Sequence, residues 1–364
     1  MKKLSSATFV ALACQGVCAQ TGITLSGTAD SGLRHVSNGS VGSDVTVVSG
    51  ANSASKIIVR GVEDLGDGLS AGFYFDGTVL IDTGVAGSSA PPGQFWDRRS
   101  TVNLTHVRWG ELRLGRDWVP THLVWTALDP FMTLGIASAN TFRSVAASRA
   151  LGQAFGTTAE TQSANPGLRV SNAIEYWLPP GLGGVYGSVI KSYSEKGATF
   201  AGFTNGQGFR LGWARGPVNI AAAQFSTKNT QIGRTFKDQA YGLSYDLGFV
   251  KLSLGQRRLD FEPERTISTL LGAVIPAGPG VVKLSYVKAN QSGLGSDASL
   301  IGAGYVYSLS KRTALYTHVA RLQNQGTGTF AIPGGPPVSA NPTAANFFGG
   351  GRSTGYEIGM RHDF

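Results

Sequence analysis

From Gly22 onward, apolar and polar residues alternate with a period of two in one short run after another. GITLSGTAD at 22–30 places Ile23, Leu25 and Ala29 on one side and Thr24, Ser26, Thr28 and Asp30 on the other. ASKIIVRG at 54–61 sets Ile57 and Val59 against Lys56 and Arg60, and LSAGFYFDG at 69–77 sets Ala71, Phe73 and Phe75 against Ser70, Tyr74 and Asp76. A period of two is the signature of a strand with one apolar and one polar face. The same reading fits STVNLTHV, ELRLG, RVSNAIEYW, YGLSYDL, VVKLSYV and SLIGAGYVY, with slips of phase in some. It persists through GYEIGMRHDF at 355–364, where Tyr356, Ile358, Met360 and His362 alternate with Glu357, Arg361 and Asp363, and Phe364 falls on the apolar side.

Two kinds of segment separate the runs. EDLGDG at 63–68, PPGLGG at 179–184 and SLSKRT at 308–313 are short and turn-forming, whereas the stretches from 36 and from 323 are long and polar. Short turns alternating with long loops predict a meander of hairpins with two unlike ends. An up-and-down barrel has that form and leaves no edge strand exposed. A secreted sandwich or β-helix would also alternate. Its wet face should be rich in Lys, Thr and Glu, whereas here the polar face often carries Arg beside Tyr, Gly and Asp. The expectation is therefore an all-β chain, a transmembrane up-and-down barrel whose apolar face meets lipid. In lipid every backbone amide needs a partner within the barrel, which gives a reason for ordering the chain to Phe364.

Composition narrows the classes further. The 364 residues hold 51 glycines, about twice the usual share, without a collagen period. The hydrophobic fraction of 41% is too low for a helical membrane bundle and too high for a disordered chain. MKKLSSATFVALACQGVCAQ reads as an export signal over residues 1–19, with cleavage after Ala19, followed by a single barrel domain at 20–364. Cys14 and Cys18 leave with that signal, so no disulfide or cysteine metal site is expected. The formal charge is +9 and stays positive without Lys2 and Lys3. Five histidines show no metal-binding spacing, the Gly-rich stretches lack a strand-turn-helix context for phosphate, and no nucleophile and base stand together. Neither cofactor nor metal, catalysis nor nucleic-acid binding is therefore expected. A barrel enzyme is the rival from a different class.

GITLSGTADSG, SKIIVRGVEDLGDGLSAGFYFDG, RRSTVNLTHVRWGELRLGRDWVPT at 98–121, YVYSLSKRTALYTHVA and the terminal IGMRHDF together resemble the general porins of β-proteobacteria. More narrowly they are similar to the anion-selective porins of comamonad-type bacteria, and the resemblance spans the whole chain after the signal. It implies sixteen strands, a homotrimer in the outer membrane of a Gram-negative bacterium, and a third loop, about 121–167, folded into the lumen. It also implies contact with outer-membrane lipid and lipopolysaccharide. Phe364 is implied to be part of the signal read by the barrel assembly machinery. The implied activity is passive diffusion of small hydrophilic solutes, with small anions preferred. A non-selective or a substrate-specific porin are the alternatives.

Matched motif to motif, the constriction cations fall on Lys56, Arg98 and Arg169, with an acidic partner at Asp76. Lysine at 56 departs from the arginine of the pattern and gives up a planar donor fork. Asp76 is likewise shorter than the expected glutamate. Alternation independently turns Lys56 and Asp76 inward and sets Arg169 opposite Val170 and Ile174. It conflicts at Arg98, which shares phase with Val102 and Leu104, whereas Arg99 shares phase with Thr101 and Asn103. Either a bulge before Ser100 resets the phase or Arg99 is the pore residue, and the pair counts as one site. Within the loop, Arg143 and Arg149 are further candidates. Arg60, Arg113 and Arg116 read as wall or rim residues. For Arg34, Arg257, Arg258, Arg265 and Arg312 the sequence leaves two readings open, lipopolysaccharide phosphates or water.

Overall fold

The predicted strands close on themselves. The computed structural model of the protein describes residues 22–87, 94–156, 167–194, 205–229, 233–293 and 295–364. The expected export signal at 1–19 lies outside the described residues, as do 157–166 of the predicted loop. Among the described residues, seventeen strands form one antiparallel sheet from β1 (Gly22–Ser37) to β17 (Arg352–Asp363). β1 pairs with β17 from Thr28↔Asp363 to Ser37↔Thr354, so the sheet has no free edge. β2 (Ser43–Ser49) and β3 (Lys56–Gly66) lie end to end along β1, which pairs with β2 through Ser31–Ser37 and with β3 through Gly22–Thr28. They share one place in the wall, and the barrel has sixteen staves.

Alternation fixes which way each side chain points. Leu33, Val102, Leu243, Leu271, Ile301 and Ile358 are exposed on the outward face. No helix is long and apolar enough to cross a membrane, and the strands make the crossing. Short turns such as 66–68, 107–109 and 278–279 mark one end, and the segments 119–156 and 325–351 mark the other. In membrane barrels the short turns face the periplasm and the long loops face outward from the cell. Phe364 extends β17: its amide donates to the Gly27 carbonyl at 3.0 Å, and the Gly27 amide donates to the Phe364 carbonyl at 2.9 Å. Its ring covers Gly27, where an added Cβ would meet the ring at 2.5 Å.

The slips of phase have a physical origin. In β13 (Glu264–Ala277) Leu270 is buried inward while Leu271 is exposed outward, and in β15 (Ala298–Ser308) Leu300 and Ile301 divide the same way. These strands are apolar on both faces because something inside the barrel covers the inner one. That cover is the long segment after β6 (Gly110–Trp118). It holds helix α1 (Pro120–Leu128), a 3-10 turn at Ala139–Arg143 and helix α2 (Arg149–Phe155). Val124, Trp125, Leu128, Phe131 and Ile136 of this loop pack with inward Leu270, Val287, Leu300 and Leu322 into one cluster. The loop can lie this close because glycines floor its path. A Cβ on Gly272 would stand 2.6 Å from Pro130 Cγ, and one on Gly302 would overlap Ala137 Cβ. The loop before β17 folds in as well, with Phe330 edge-on to Phe142 at a ring distance of 5.1 Å.

Candidate functional site

The course of the inner loop decides where a passage can run. α1 packs against the strands from β8 (Val185–Ser192) to β12 (Lys251–Phe261), Pro130 and Ala137 lie on β13 and β15, and Ile136 reaches Gly355 of β17. α2 then returns to β12 and β13. The loop thus lines the barrel from β8 round to β17. The wall facing it is β3, β4 (Leu69–Thr78), β5 (Arg99–His106), β6 and β7 (Arg169–Trp177), which carry the cations singled out in the sequence.

Register places Lys56 beside Thr28 and Thr78, and Asp76 beside Ile58 and Arg99, so Lys56, Asp76 and Arg99 all face inward. The β4–β5 pairing runs without a shift from Asp76↔Arg99 to Leu69↔His106, so no bulge resets the phase before Ser100. Instead β5 begins at Arg99, and Arg98 lies just outside the strand, its amide donating to the Asp76 carbonyl at 3.1 Å. Freed from the pleat, its guanidinium turns to the same side as Arg99. Both arginines reach the Asp76 face, where the sequence offered a choice of one.

Their charges are spent differently. Arg98 Nε lies 3.1 Å from the Asp76 carboxylate. Arg99 lies 3.5 Å from Asp117 and 3.9 Å from Glu111, with its guanidinium 4.4 Å from the centre of the Tyr74 ring. Arg169 has no carboxylate partner among the described residues; it stacks 3.6 Å over Trp118, and its Nε is buried without an acceptor. Lys56 makes no ion pair with a described residue and lies within electrostatic range of Arg98, Asp76, Asp363 and Arg169. Two of the four cations are thus neutralised at the wall, and Lys56 and Arg169 are not.

The loop candidates are held in place rather than free. Arg149 pairs with Glu264 at 2.5 Å and donates its amide to Gln291, which ties α2 to the wall. Arg143 is half-buried over Gly167 and donates to Asn140 at 3.2 Å. Burial, with Arg257 nearby, pushes its guanidinium down to about 9, so it stays charged at pH 7. Asp129, the acid in the described part of the same loop, is bound up by the loop's own backbone. It accepts from the amides of Phe131, Thr133 and Ala139 at 2.9, 3.1 and 2.8 Å, and so knots the loop to itself. Burial pushes its carboxyl up to about 6 against the pull of those amides. His122 is stacked on Trp118 at 4.7 Å, and burial with the surrounding arginines holds its imidazole well below the usual range.

Several arginines settle elsewhere than the open readings allowed. Arg34 and Arg257 meet neither lipid nor bulk water. Their parity turns them inward, where Arg34 pairs with Glu357 at 2.7 Å and Arg257 with Asp238 at 2.6 Å. Arg116 follows a register shift between Gly115 and Asp117 and donates to the Asp97 carbonyl and the Ser171 hydroxyl. Arg113 belongs to the inner wall, bonded to Glu111 and Asp117 and 4.1 Å from the Trp177 ring.

Sequence reasoning passed over Arg210, which stands 4.6 Å from the same ring and 5.2 Å from Tyr186. The signal was available in GFRLGW, where Phe209, Leu211 and Trp213 lie outward and Arg210 must therefore lie inward. Arginines stacked on aromatic faces are held in extended, fixed poses along this wall. Trp118, as the platform for Arg169, could not be read from alternation because of the register shift beside it.

Among the described residues no group of three His, Cys, Asp or Glu is placed to hold a metal. A lumen with fixed charge and a narrowing loop acts by size and field rather than by bond chemistry. Residues 6–327 match the sequence profile of the Gram-negative porins. Outer membrane porin protein 32 of Delftia acidovorans is 33% identical over 376 residues, covering all of both chains. An outer membrane porin protein of Bordetella pertussis is 25% identical over 365 residues, covering 87% of this chain and 84% of the other. Among solved structures, the anion-selective porin from Comamonas acidovorans superposes with a TM-score of 0.77 at 32% identity, covering 94% of this chain and all of the other. OmpT of Vibrio cholerae, at 12% identity and a TM-score of 0.61, covering 94% of this chain and 98% of the other, shares the fold. Closed barrel, inward loop and these matches agree, and the chain belongs to the Gram-negative porins, passive diffusion channels of the bacterial outer membrane.

Proposed function

We propose that this porin passes small hydrophilic solutes with a preference for anions, set between the inner loop and the β3–β7 wall. The observation that carries this reading is the imbalance of free charge. Lys56 and Arg169 make no ion pair with a described residue, and the acids nearest them are already engaged: Asp76 by Arg98, Asp97 by the Thr78 amide and hydroxyl, and Asp363 by Thr28 and Arg361. Fixed cations in a low-dielectric constriction attract anions and repel cations over the few ångströms that matter. Lysine at 56 keeps the charge but not the bidentate fork, so the channel selects by field more than by shaped recognition of a carboxylate.

The zero-current potential of the purified protein in a planar bilayer under a potassium chloride gradient tests this. An anion-side potential that shrinks in Lys56→Glu and in Arg169→Glu is expected. A potential near zero, or one that neither substitution moves, would refute the basic constriction and leave a non-selective or substrate-specific porin.

The same reading includes residues 1–19 as the export signal, assembly as a homotrimer, and Phe364 as part of what the barrel assembly machinery reads. The family resemblance supports these, and the outward position of the Phe364 ring suits recognition of β17 from outside. Chemical crosslinking of the purified protein to a limit of three chains tests the oligomer.

A further inference from the structure

The inner loop leaves the wall at Trp118 of β6 and rejoins it at Arg169 of β7, the neighbouring stave. Both of its ends nevertheless reach one ion pair well round the barrel. On β11 (Arg234–Asp246) Asp238 is buried on the inner face, and Arg257 of β12 is its diagonal neighbour across the pairing. Arg257 grips the carboxylate with two donors, Nε at 2.9 Å and Nη2 at 2.6 Å. The Thr121 hydroxyl, in the first turn of α1, donates to the same carboxylate at 2.7 Å. Arg257 Nη2 also donates to the carbonyl of Gly167, just before β7, at 3.0 Å. The two feet are joined to each other as well, the Val119 amide donating to the Leu168 carbonyl at 2.9 Å. β7 and β11 stand four strand spacings apart, about 19 Å along the wall. The root of the loop therefore spans this sector of the barrel as a strut, with Asp238 at its far end.

The surroundings of the pair are positive. Arg143 lies over Gly167, where an added Cβ would overlap its guanidinium, so two arginines meet at one glycine. His122, one residue beyond Thr121, lies within electrostatic range of Arg257, Arg143, Arg169 and Arg98. Among the described residues Asp238 is the carboxylate paired at this root, and Arg257 Nη1 is already buried without an acceptor. A buried cation beside its partner is tolerated, whereas the same cation stripped of that partner is strongly unfavourable.

We propose that Asp238 is a positioning residue of the passage: through Arg257 and Thr121 it holds the loop root against β11 and β12, and so sets the width left before the β3–β7 wall. At 1% exposure it meets no passing solute and acts through its partners. Without its charge, Arg257 faces Arg143 as an unmatched cation, and the root is driven off its wall into the passage. The inference rests on the passage lying between the loop and the β3–β7 wall, and not on a preference for anions.

Single-channel conductance of Asp238→Asn tests the assignment, with liposome swelling in arabinose and raffinose as uncharged gauges of width. Conductance should fall about twofold, and swelling in raffinose should slow more than swelling in arabinose. Asp238→Asn/Arg257→Met removes both charges and should restore most of the conductance, because a buried pair replaced whole strands no charge. Arg257→Lys keeps the charge but loses the fork that joins Asp238 to Gly167, and should show a smaller fall in the same direction. It decides the matter if Asp238→Asn yields no heat-modifiable barrel. Parental or raised conductance in both single variants would overturn the proposal. So would a double variant no better than Asp238→Asn, which would make Asp238 a support for folding alone. Because the sugars are neutral, these outcomes are independent of the zero-current potential that tests the basic constriction.

Discussion

Arg98 Nε stands 3.1 Å from the Asp76 carboxylate, so the acid of the proposed constriction neutralises one particular cation and leaves its neighbours alone. Asp76→Asn should therefore raise anion preference by releasing Arg98. One added net charge in a partly solvated constriction is worth about 1 kcal/mol, roughly a five-fold change in the anion to cation permeability ratio. Reversal potentials of the variant and the parent in the same salt gradient measure it; a shift toward cations would mean that Arg98 needs Asp76 to stay in the passage.

The floor beneath the inner loop gives a second prediction. Gly302→Leu puts side-chain atoms where Ala137 lies, since even its Cβ would overlap the Ala137 methyl. Overpacking of this kind costs about 1–3 kcal/mol, and the loop has room to yield inward. Single-channel conductance should change and open-channel noise should rise, with the barrel still heat-modifiable on a gel. A channel indistinguishable from the parent would show that the loop does not rest on β15.

Asp129 pins the loop through three amides, and an asparagine offers one oxygen in place of two. Asp129→Asn should loosen the segment from Phe131 to Ala139, at a cost of about 1–3 kcal/mol for amides left without an acceptor. Protease nicking within 129–143 in the folded barrel, compared with the parent, reports it.

The histidine stacked on Trp118 sets a dependence on acid. Its folded pKa is depressed by burial and by nearby arginines, so as pH falls below about 6.5 the unfolded chain takes a proton that the folded one refuses. Stability from this group is present above that pH and lost below it, by up to about 1.4 kcal/mol per pH unit. Asp129 acts in the opposite sense: its raised pKa favours the fold as pH falls from about 6 toward the usual carboxylate range. The two separate in a comparison of His122→Gln with the parent, where the gap in unfolding temperature should narrow or reverse as pH drops from 7 to 5. Parallel curves would show that His122 does not carry the acid sensitivity.

Much of the wall was legible because period two maps directly to inside and outside. Lys56, Asp76 and Arg99 could be turned inward from residue order alone, and Arg210 could have been. Arg98 could not, since a residue one step beyond a strand escapes the pleat and its direction depends on where pairing begins. Arg34 and Arg257 shared the composition of lipid-facing arginines, and parity distinguishes them only once the strands are placed. The doubled apolar positions Leu270/Leu271 and Leu300/Ile301 looked like noise in the alternation. They record the inner loop, a contact between segments more than a hundred residues apart that no local pattern encodes.

The seam between β1 and β17 carries a consequence for how the molecule comes to exist. Thr28 bonds to Asp363 across 335 positions of chain, and the Gly27 and Phe364 backbones close the same junction. Contacts of such separation form slowly and late, because nearly the whole chain must be constrained before they gain anything. Until that junction zips, both outer staves expose unpaired amides that lipid cannot satisfy. Closing the junction and entering lipid are therefore coupled, because the two outer staves cannot rest in lipid while they are apart. The chain becomes a channel only when its two ends meet.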